Sequence, residues 1–215
     1  MKVSQIKSEE TYDWLKNLHY AKRIPHISYA FGLYSIQDLI GVITYGNPPS
    51  PRIADGVCND KNRLNVRELN RLCLLYNRKN EASFLISKSL KLLPKPSIVI
   101  SYADTSINHT GYIYQASNFI YCGLSEKRTD WLIKGQNKHG RNISNQYSYE
   151  HMKSNLDTFY QVNRPRKHRY VYFVCNKKEK KSFLSGLKLP IQPYPKSKNV
   201  NYETNHIPQT QMSLI

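Results

Sequence analysis

The stretch SYADTSINHTGYIYQASNFIYCG, Ser101–Gly123, concentrates groups that can do chemistry. Tyr102 and Asp104 follow directly on the apolar Ile98-Val99-Ile100, and His109, Gly111, Tyr114, Asn118 and Tyr121 come within the next 17 residues. A carboxylate and an imidazole can exchange protons with a substrate, and tyrosine rings offer flat faces for an aromatic ligand. The end of a buried strand is also where α/β sheets place ligand-contacting groups. Taken singly, Asp104 reads as a turn former or helix cap. Its company turns the reading toward a site.

Other constellations are weaker one by one. Arg78 and Lys79 precede Asn80, which can cap a helix; two cations and a free helix N-terminus can hold a phosphate, although a capped helix with solvated neighbours reads equally well. Glu68 and Arg71 fall in a run that otherwise reads as a buried strand, where a charge needs either a partner or a task. An ion pair would satisfy both. The pair His19-Tyr20 shows neither HxxxH nor HxH spacing, so nothing in its pattern marks a metal site. NRPRKHRYVYF joins four cations and a histidine to Tyr170, Tyr172 and Phe173. Cations interleaved with aromatics suit a nucleic-acid track, and Arg164–Arg169 carries that expectation. The later half reads as a core strand.

Several elements must position these groups. Ser8 before Glu9 and Glu10, with Tyr12, Leu15 and Leu18 at helical spacing, predicts a helix over Glu9–Leu18. Strands are expected over Ile27–Leu33 and Leu39–Tyr45, then a loop through Pro48, Pro49 and Pro51 to Asn62. Leu64–Leu75 reads as a strand whose alternation places Glu68 and Asn70 on one face and Arg67, Leu69 and Arg71 on the other. A helix from Asn80 carries Phe84, Ile86, Leu90 and Leu93 as an apolar stripe and stops at Pro94. The strand Ser97–Tyr102 leads into the opening segment, and further strand-like runs lie near Trp131–Ile133 and Tyr170–Cys175. Strands mixed with helices in this order predict an α/β or α+β sheet with helices packed on it. The expected division is one domain over residues 1–189 and a polar, proline-containing arm over 190–215.

Composition narrows the partner. The chain of 215 residues carries 32 Lys and Arg against 15 Asp and Glu, a formal charge of +17. The excess is concentrated: 17 Lys or Arg against 4 Asp or Glu fall between Lys127 and Lys198. Such a field favours a polyanion, nucleic acid ahead of an acidic membrane surface. Tyrosine outnumbers phenylalanine 17 to 6, which suits half-wet clefts and stacking platforms. The four cysteines are scattered, so neither a zinc ribbon nor a disulfide framework is expected, and a reducing cytosolic setting fits. No signal-peptide pattern or membrane-length apolar run is visible.

Four fragments in register, LHYAKRIP, GVITYG, VRELNRLCL with SFLISKSL, and SYADTSINHTGYIYQASNFIYCG, resemble the Mom family of phage DNA-modification proteins. The resemblance spans roughly residues 12–175, with an echo in KHRYVYF; its sharpest part is Tyr102-Ala103-Asp104 followed by His109, Gly111 and Tyr114. It implies an enzyme of the host cytoplasm that adds a carbamoylmethyl group to adenine N6 in double-stranded DNA and so protects phage DNA from restriction. It also implies a fold similar to the GNAT acyltransferases, a mixed sheet splayed at its centre where the donor lies. The strand Leu64–Leu75, the Asn80 helix, the strand Ser97–Tyr102 and a helix over Gly111–Tyr121 would form the central unit.

One departure bears on the donor. A typical GNAT protein cradles the coenzyme A pyrophosphate in a glycine-rich loop, whereas LLYNRKNEAS here holds no glycine. Acetyl-CoA is therefore not expected, and the donor stays unassigned. The family is associated with iron, for which the resemblance points to His19, Tyr20 and Asp104. It further implies Asp104 as the group that hydrogen-bonds or deprotonates the amine, Tyr102 and Tyr114 as shapers of the base pocket, and His109 as a proton relay. Arg71, Asn80 and Ser83 would stand on the donor side, and Arg164, Arg166, Lys167 and Arg169 would grip the DNA backbone. Two rival readings remain open on the residues alone: an acyltransferase acting on a protein or small-molecule amine, and a non-catalytic basic DNA-binding protein that blocks restriction.

Overall fold

A computed structural model of the chain describes residues 1–136, 138 and 140–196; residues 197–215 of the expected arm lie outside the described residues. The strands are β1 (Lys2–Ile6), β2 (Tyr29–Ser35), β3 (Asp38–Gly46), β4 (Val66–Leu74), β5 (Ser97–Asp104), β6 (Ile120–Leu124), β7 (Arg128–Ile133), β8 (Phe159–Arg164) and β9 (Lys167–Val174). The helices are α1 (Pro51–Val57), α2 (Glu81–Leu92), α3 (Tyr112–Ala116), α4 (Gly140–Gln146), α5 (Tyr149–Ser154) and α6 (Lys177–Ser185). Seven strands form one sheet in the order β1-β2-β3-β4-β5-β9-β6, while β7 and β8 form a separate ribbon. All pairings are antiparallel except β4 with β5. The expected mixed α/β sheet flanked by helices is what the chain forms.

The sheet is splayed at its centre. β4 and β5 pair in register only from Val66 with Ile98 to Leu69 with Ser101. Beyond that point the strands part, and the buried Ser101 hydroxyl donates to the Leu69 carbonyl (3.0 Å) at the fork. The core is divided between the faces: α2 covers Phe31, Tyr45, Val99 and Tyr170 with Leu85 and Ile86, whereas Ala54 and Val57 of α1 and Phe183 of α6 lie with Ile98, Ile100 and Val171. A third cluster, Trp131, Ile133, Ile143, Met152 and Phe159, holds the ribbon to α4 and α5.

Several local expectations are corrected. The segment expected as a helix over Glu9–Leu18 is helical but irregular, with a 3-10 turn at Ser8–Thr11 running into a π turn at Trp14–Leu18. The wider second turn lets fully buried Leu15 reach Val42 and Cys73, and burial there outweighs regular helix geometry. The proline-rich segment is not all loop, because Pro51 begins α1, and the first helical position is the one a proline tolerates. The helix expected over Gly111–Tyr121 is only the short α3, and the chain then enters β6, with Phe119 and Cys122 fully buried.

β4 breaks its own alternation. Its register against β3 slips between Thr44 and Tyr45: Thr44 faces Arg71, Tyr45 faces Leu69, and Asn70 is the extra residue. A bulge of this kind shifts every later side chain to the other face. Leu69, Leu72 and Leu74 consequently share the α2 face, while Val66 and Cys73 pack on the opposite one. Glu68 and Arg71, separated by simple alternation, come to the same face. The Asn70 amide is used structurally, accepting from Thr44 (2.6 Å) and donating to the His26 carbonyl (3.0 Å).

Candidate active site

The fork between β4 and β5 opens into a cavity of about 430 Å³. Its walls are Glu68–Leu72 of β4, Tyr102 and Ala103 of β5, His19 and Tyr20 after the N-terminal turns, the segment Asn108–Tyr114, and Lys167 of β9. Such a volume suits a small-molecule or single-base ligand. Of the residues expected at a site, Tyr102, His109, Tyr114, Arg71, Lys167, His19 and Tyr20 are brought together here.

The wall carrying His109 to Tyr114 is fixed by backbone and ring contacts. The His109 N–H donates to the Asp104 carbonyl (3.1 Å), closing the turn after β5. Thr105 anchors that turn through its hydroxyl to the Arg166 carbonyl (2.7 Å). The Tyr170 hydroxyl donates to the Thr110 carbonyl and accepts from Gln115 Nε2 (3.1 Å). Tyr114 is buried between Phe119 and Tyr170, with ring centroids at 5.4 and 5.2 Å. Burial pushes its hydroxyl up to about 12, with Ser101 as the hydrogen-bond partner that opposes the shift. Tyr114 therefore shapes the cavity from the core. The rings available for stacking are Tyr20, 53% exposed, and Tyr112, 76% exposed. Tyr112 was not anticipated from sequence; its place directly after Gly111 was the available signal.

Asp104 is a spent carboxylate. Its Oδ1 accepts from the Ser106 N–H (3.0 Å) and hydroxyl (2.6 Å), and its Oδ2 pairs with Lys167 Nζ (3.2 Å). Burial opposes its ionisation, but the Lys167 ammonium and the Ser106 hydrogen bonds outweigh burial and hold the carboxyl below its usual range. It stands one residue beyond the lining pair Tyr102 and Ala103 and reaches the cavity through Lys167. Glu68 is the opposite case. It lines the cavity, its Oε2 is buried without a hydrogen-bond partner, and burial raises its carboxyl despite the pull of Arg71, Lys167 and Arg23.

The donor-side trio is not gathered. Arg71 lines the cavity on the face away from α2, whereas Asn80 and Ser83 sit at the start of α2, where the Ser83 hydroxyl donates to the Asn80 carbonyl (3.2 Å). Asn80 adopts a left-handed conformation (φ 69°) with no side-chain cap bond, and Asn77 does the same (φ 48°). These asparagines make the tight turn that glycine makes elsewhere. The turn already holds an anion: buried Glu81 accepts from the Arg78 N–H (2.8 Å) through Oε2.

The expected DNA-gripping row is also redistributed. Arg164 is bound by Asp130, through Nε (2.9 Å) and through NH2. Arg166 donates to the Ser125 carbonyl (2.6 Å), Lys167 turns to Asp104, and Arg169 Nε is buried without a partner. All four are half-buried rather than exposed. Exposed cations are instead supplied by Lys177, Lys178, Lys180 and Lys181 of α6.

The residues near His19 do not fit an iron centre. Among the described residues no three His, Cys, Asp or Glu side chains converge on a point. His19 Nδ1 accepts from the Ala21 N–H (3.0 Å), and both oxygens of Asp104 are engaged. His19 and Tyr20 are stacked rings at 4.4 Å, with His109 edge-on to Tyr20 at 6.1 Å. No helix among the described residues is long and apolar enough to cross a membrane.

Comparison with known proteins agrees with the sequence resemblance. Methylcarbamoylase mom of Escherichia phage Mu is 29% identical to this chain over 207 residues, covering 89% of this chain and 84% of the relative. Solved structures with a similar course include a GNAT-family acetyltransferase of Bacillus cereus ATCC 10987, at 13% identity and TM-score 0.42 over 80% of this chain and 96% of that one. An N-acetyltransferase of Staphylococcus aureus Mu50 is similar at 14% identity and TM-score 0.44, over 80% and 98%. The model of the Mom protein family matches residues 1–196, and the chain belongs to that family.

Proposed function

We propose that this chain is a phage DNA-modification transferase that adds a carbamoylmethyl-type group to adenine N6 in double-stranded DNA and so shields the DNA from restriction. The observation that carries this reading is the cavity at the β4–β5 fork, which combines flat rings with charged groups in a chain of the Mom family. The relative's name, a methylcarbamoylase, supports the group transferred. The charge of +17 supports a polyanionic partner.

The chemistry sets three demands. Adenine N6 is paired inside the duplex, so the base must leave the stack and enter a pocket. The exposed rings of Tyr20 and Tyr112 supply faces for it, and Tyr102 and Tyr114 set the pocket's shape. The N6 lone pair is delocalised into the ring, so the amine needs a positioned proton acceptor or a strongly activated donor. Lys167, held by Asp104, supplies positive charge where a leaving group gathers negative charge. The duplex itself is held by its phosphates, for which the exposed lysines of α6 are available. The donor is an electrophilic carbamoylmethyl compound carrying a leaving group.

The test is to express the chain in bacteria, digest their DNA to nucleosides and weigh deoxyadenosine. A heavier deoxyadenosine bearing the added group is expected. Unmodified deoxyadenosine together with an acylated protein would favour an amine acyltransferase. Restriction protection without any modified nucleoside would favour a DNA-binding blocker.

A further inference from the structure

Two charged side chains of β4 border the cavity with buried polar atoms that no group among the described residues satisfies: Glu68 Oε2 and Arg71 Nε. Burying such atoms unpaired is costly, and folding has an obvious remedy available, since the bulge at Asn70 brings the two to one face. Yet no ion pair joins them within 4.0 Å; Arg71 instead uses NH1 on its neighbour's carbonyl at Asn70 (2.6 Å). An acceptor and a donor held apart on one wall are complementary to a ligand edge that presents a donor beside an acceptor. The Watson–Crick edge of an unstacked adenine is such an edge, with N6–H as donor and N1 as acceptor.

We propose that Glu68 is the catalytic proton acceptor for the attacking amine, with Arg71 hydrogen-bonding N1 of the same base. This rests on the adenine reading above and replaces Asp104 in that role. As the N6–carbon bond forms, the bond from the donor's methylene carbon to its leaving group breaks and the pair departs with the leaving group. The proton lost from N6 goes to Glu68 Oε2 and from there to water. Asp104 is unsuited to the step because Ser106 and Lys167 occupy both of its oxygens. Glu68 is suited because the residue lines the cavity, its Oε2 carries no hydrogen bond from another described residue, and burial has already made it more basic than an ordinary glutamate.

Two independent measurements test this. In cells, Glu68→Gln is expected to lower modified deoxyadenosine at least ~100-fold, with thermal unfolding and the salt dependence of duplex binding kept at wild-type values. Wild-type levels of modification in Glu68→Gln overturn the assignment, whereas no modification by the wild type itself overturns the adenine reading. Should Glu68→Gln not fold, Glu68→Asp, which retracts the carboxylate by one methylene, is expected to show the same loss in smaller measure. In solution, infrared difference spectra of the wild-type protein should show the Glu68 carboxyl band shifting when 2′-deoxyadenosine is added. Purine 2′-deoxyriboside, which lacks the amine, should leave the band unmoved. An unmoved band with both nucleosides, or an equal shift with both, overturns the role of Glu68 without any reference to turnover.

Discussion

Lys167 Nζ lies 3.2 Å from Asp104 Oδ2, so the cation that borders the cavity is anchored by a carboxylate standing just outside it. The two residues face one another across the β5–β9 ladder, where Asp104 pairs in register with Lys167. The acidic residue most conspicuous in the sequence thus meets the cavity by way of its neighbour.

Asp104→Asn and Lys167→Met should accordingly lower DNA modification by similar factors, and the double variant should be little worse than either. That non-additivity is the signature of residues working as a unit. The pH dependence has a defined sign. The Asp104 carboxyl is depressed in the folded state, so its stabilising share is full above the unfolded value of about 3.9 and is lost as pH falls through the folded value. Acid unfolding curves of wild type and Asp104→Asn should therefore begin to converge only below about pH 4 and meet once pH has fallen through the depressed folded value. Additive losses of activity, or parallel acid curves, would remove Asp104 from this role.

His19 gives a second pH dependence. Burial first, then electrostatic repulsion from Arg71 and His109, lower its imidazole from 6.5 to about 4. The unfolded chain binds a proton between those values that the folded chain refuses, so stability falls as pH drops from about 6.5 toward 4. The full effect is at most roughly 3 to 4 kcal/mol at about 1.36 kcal/mol per unit. Thermal unfolding of wild type should decline across that window, and His19→Gln should flatten the decline. A ring titration by NMR near 6.5 would contradict it.

The sequence disclosed the broad plan because hydrophobic pattern and turn chemistry are local. The strands around Ile43, Leu69 and Ile100 and the helix carrying Leu85 and Ile86 could be read directly, and the site segment after Ile100 could be singled out. What escaped was set by pairing between distant strands. The bulge at Asn70 depends on the register of β3 against β4, and it alone decides that Glu68 and Arg71 share a face. The pairing of Arg164 with Asp130, 34 residues away, likewise follows from the register of the β7–β8 ribbon. The ribbon's second strand and α4 to α6 carry short, weakly periodic apolar sets that no local rule distinguishes from loop.

The contact between Gly111 and Tyr170 supplies the last prediction. Gly111 has φ +80°, and a Cβ there would fall on the Tyr170 ring, whose hydroxyl holds the adjoining Thr110 carbonyl. Gly111→Ala therefore meets two penalties: a left-handed backbone that a Cβ disfavours, worth roughly 1–3 kcal/mol, and displacement of a ring buried among Tyr114 and Tyr121. The wall bearing His109 and Tyr112 should shift with it, so modification should fall more steeply than stability. Tyr170→Ala is destabilising alone, but it removes the obstacle and leaves only the backbone penalty. In a cycle of the two substitutions the cost of Gly111→Ala should shrink when Tyr170 is absent, as chemical denaturation can measure. An unchanged cost would mean that the conformation of Gly111, rather than its approach to Tyr170, fixes the wall.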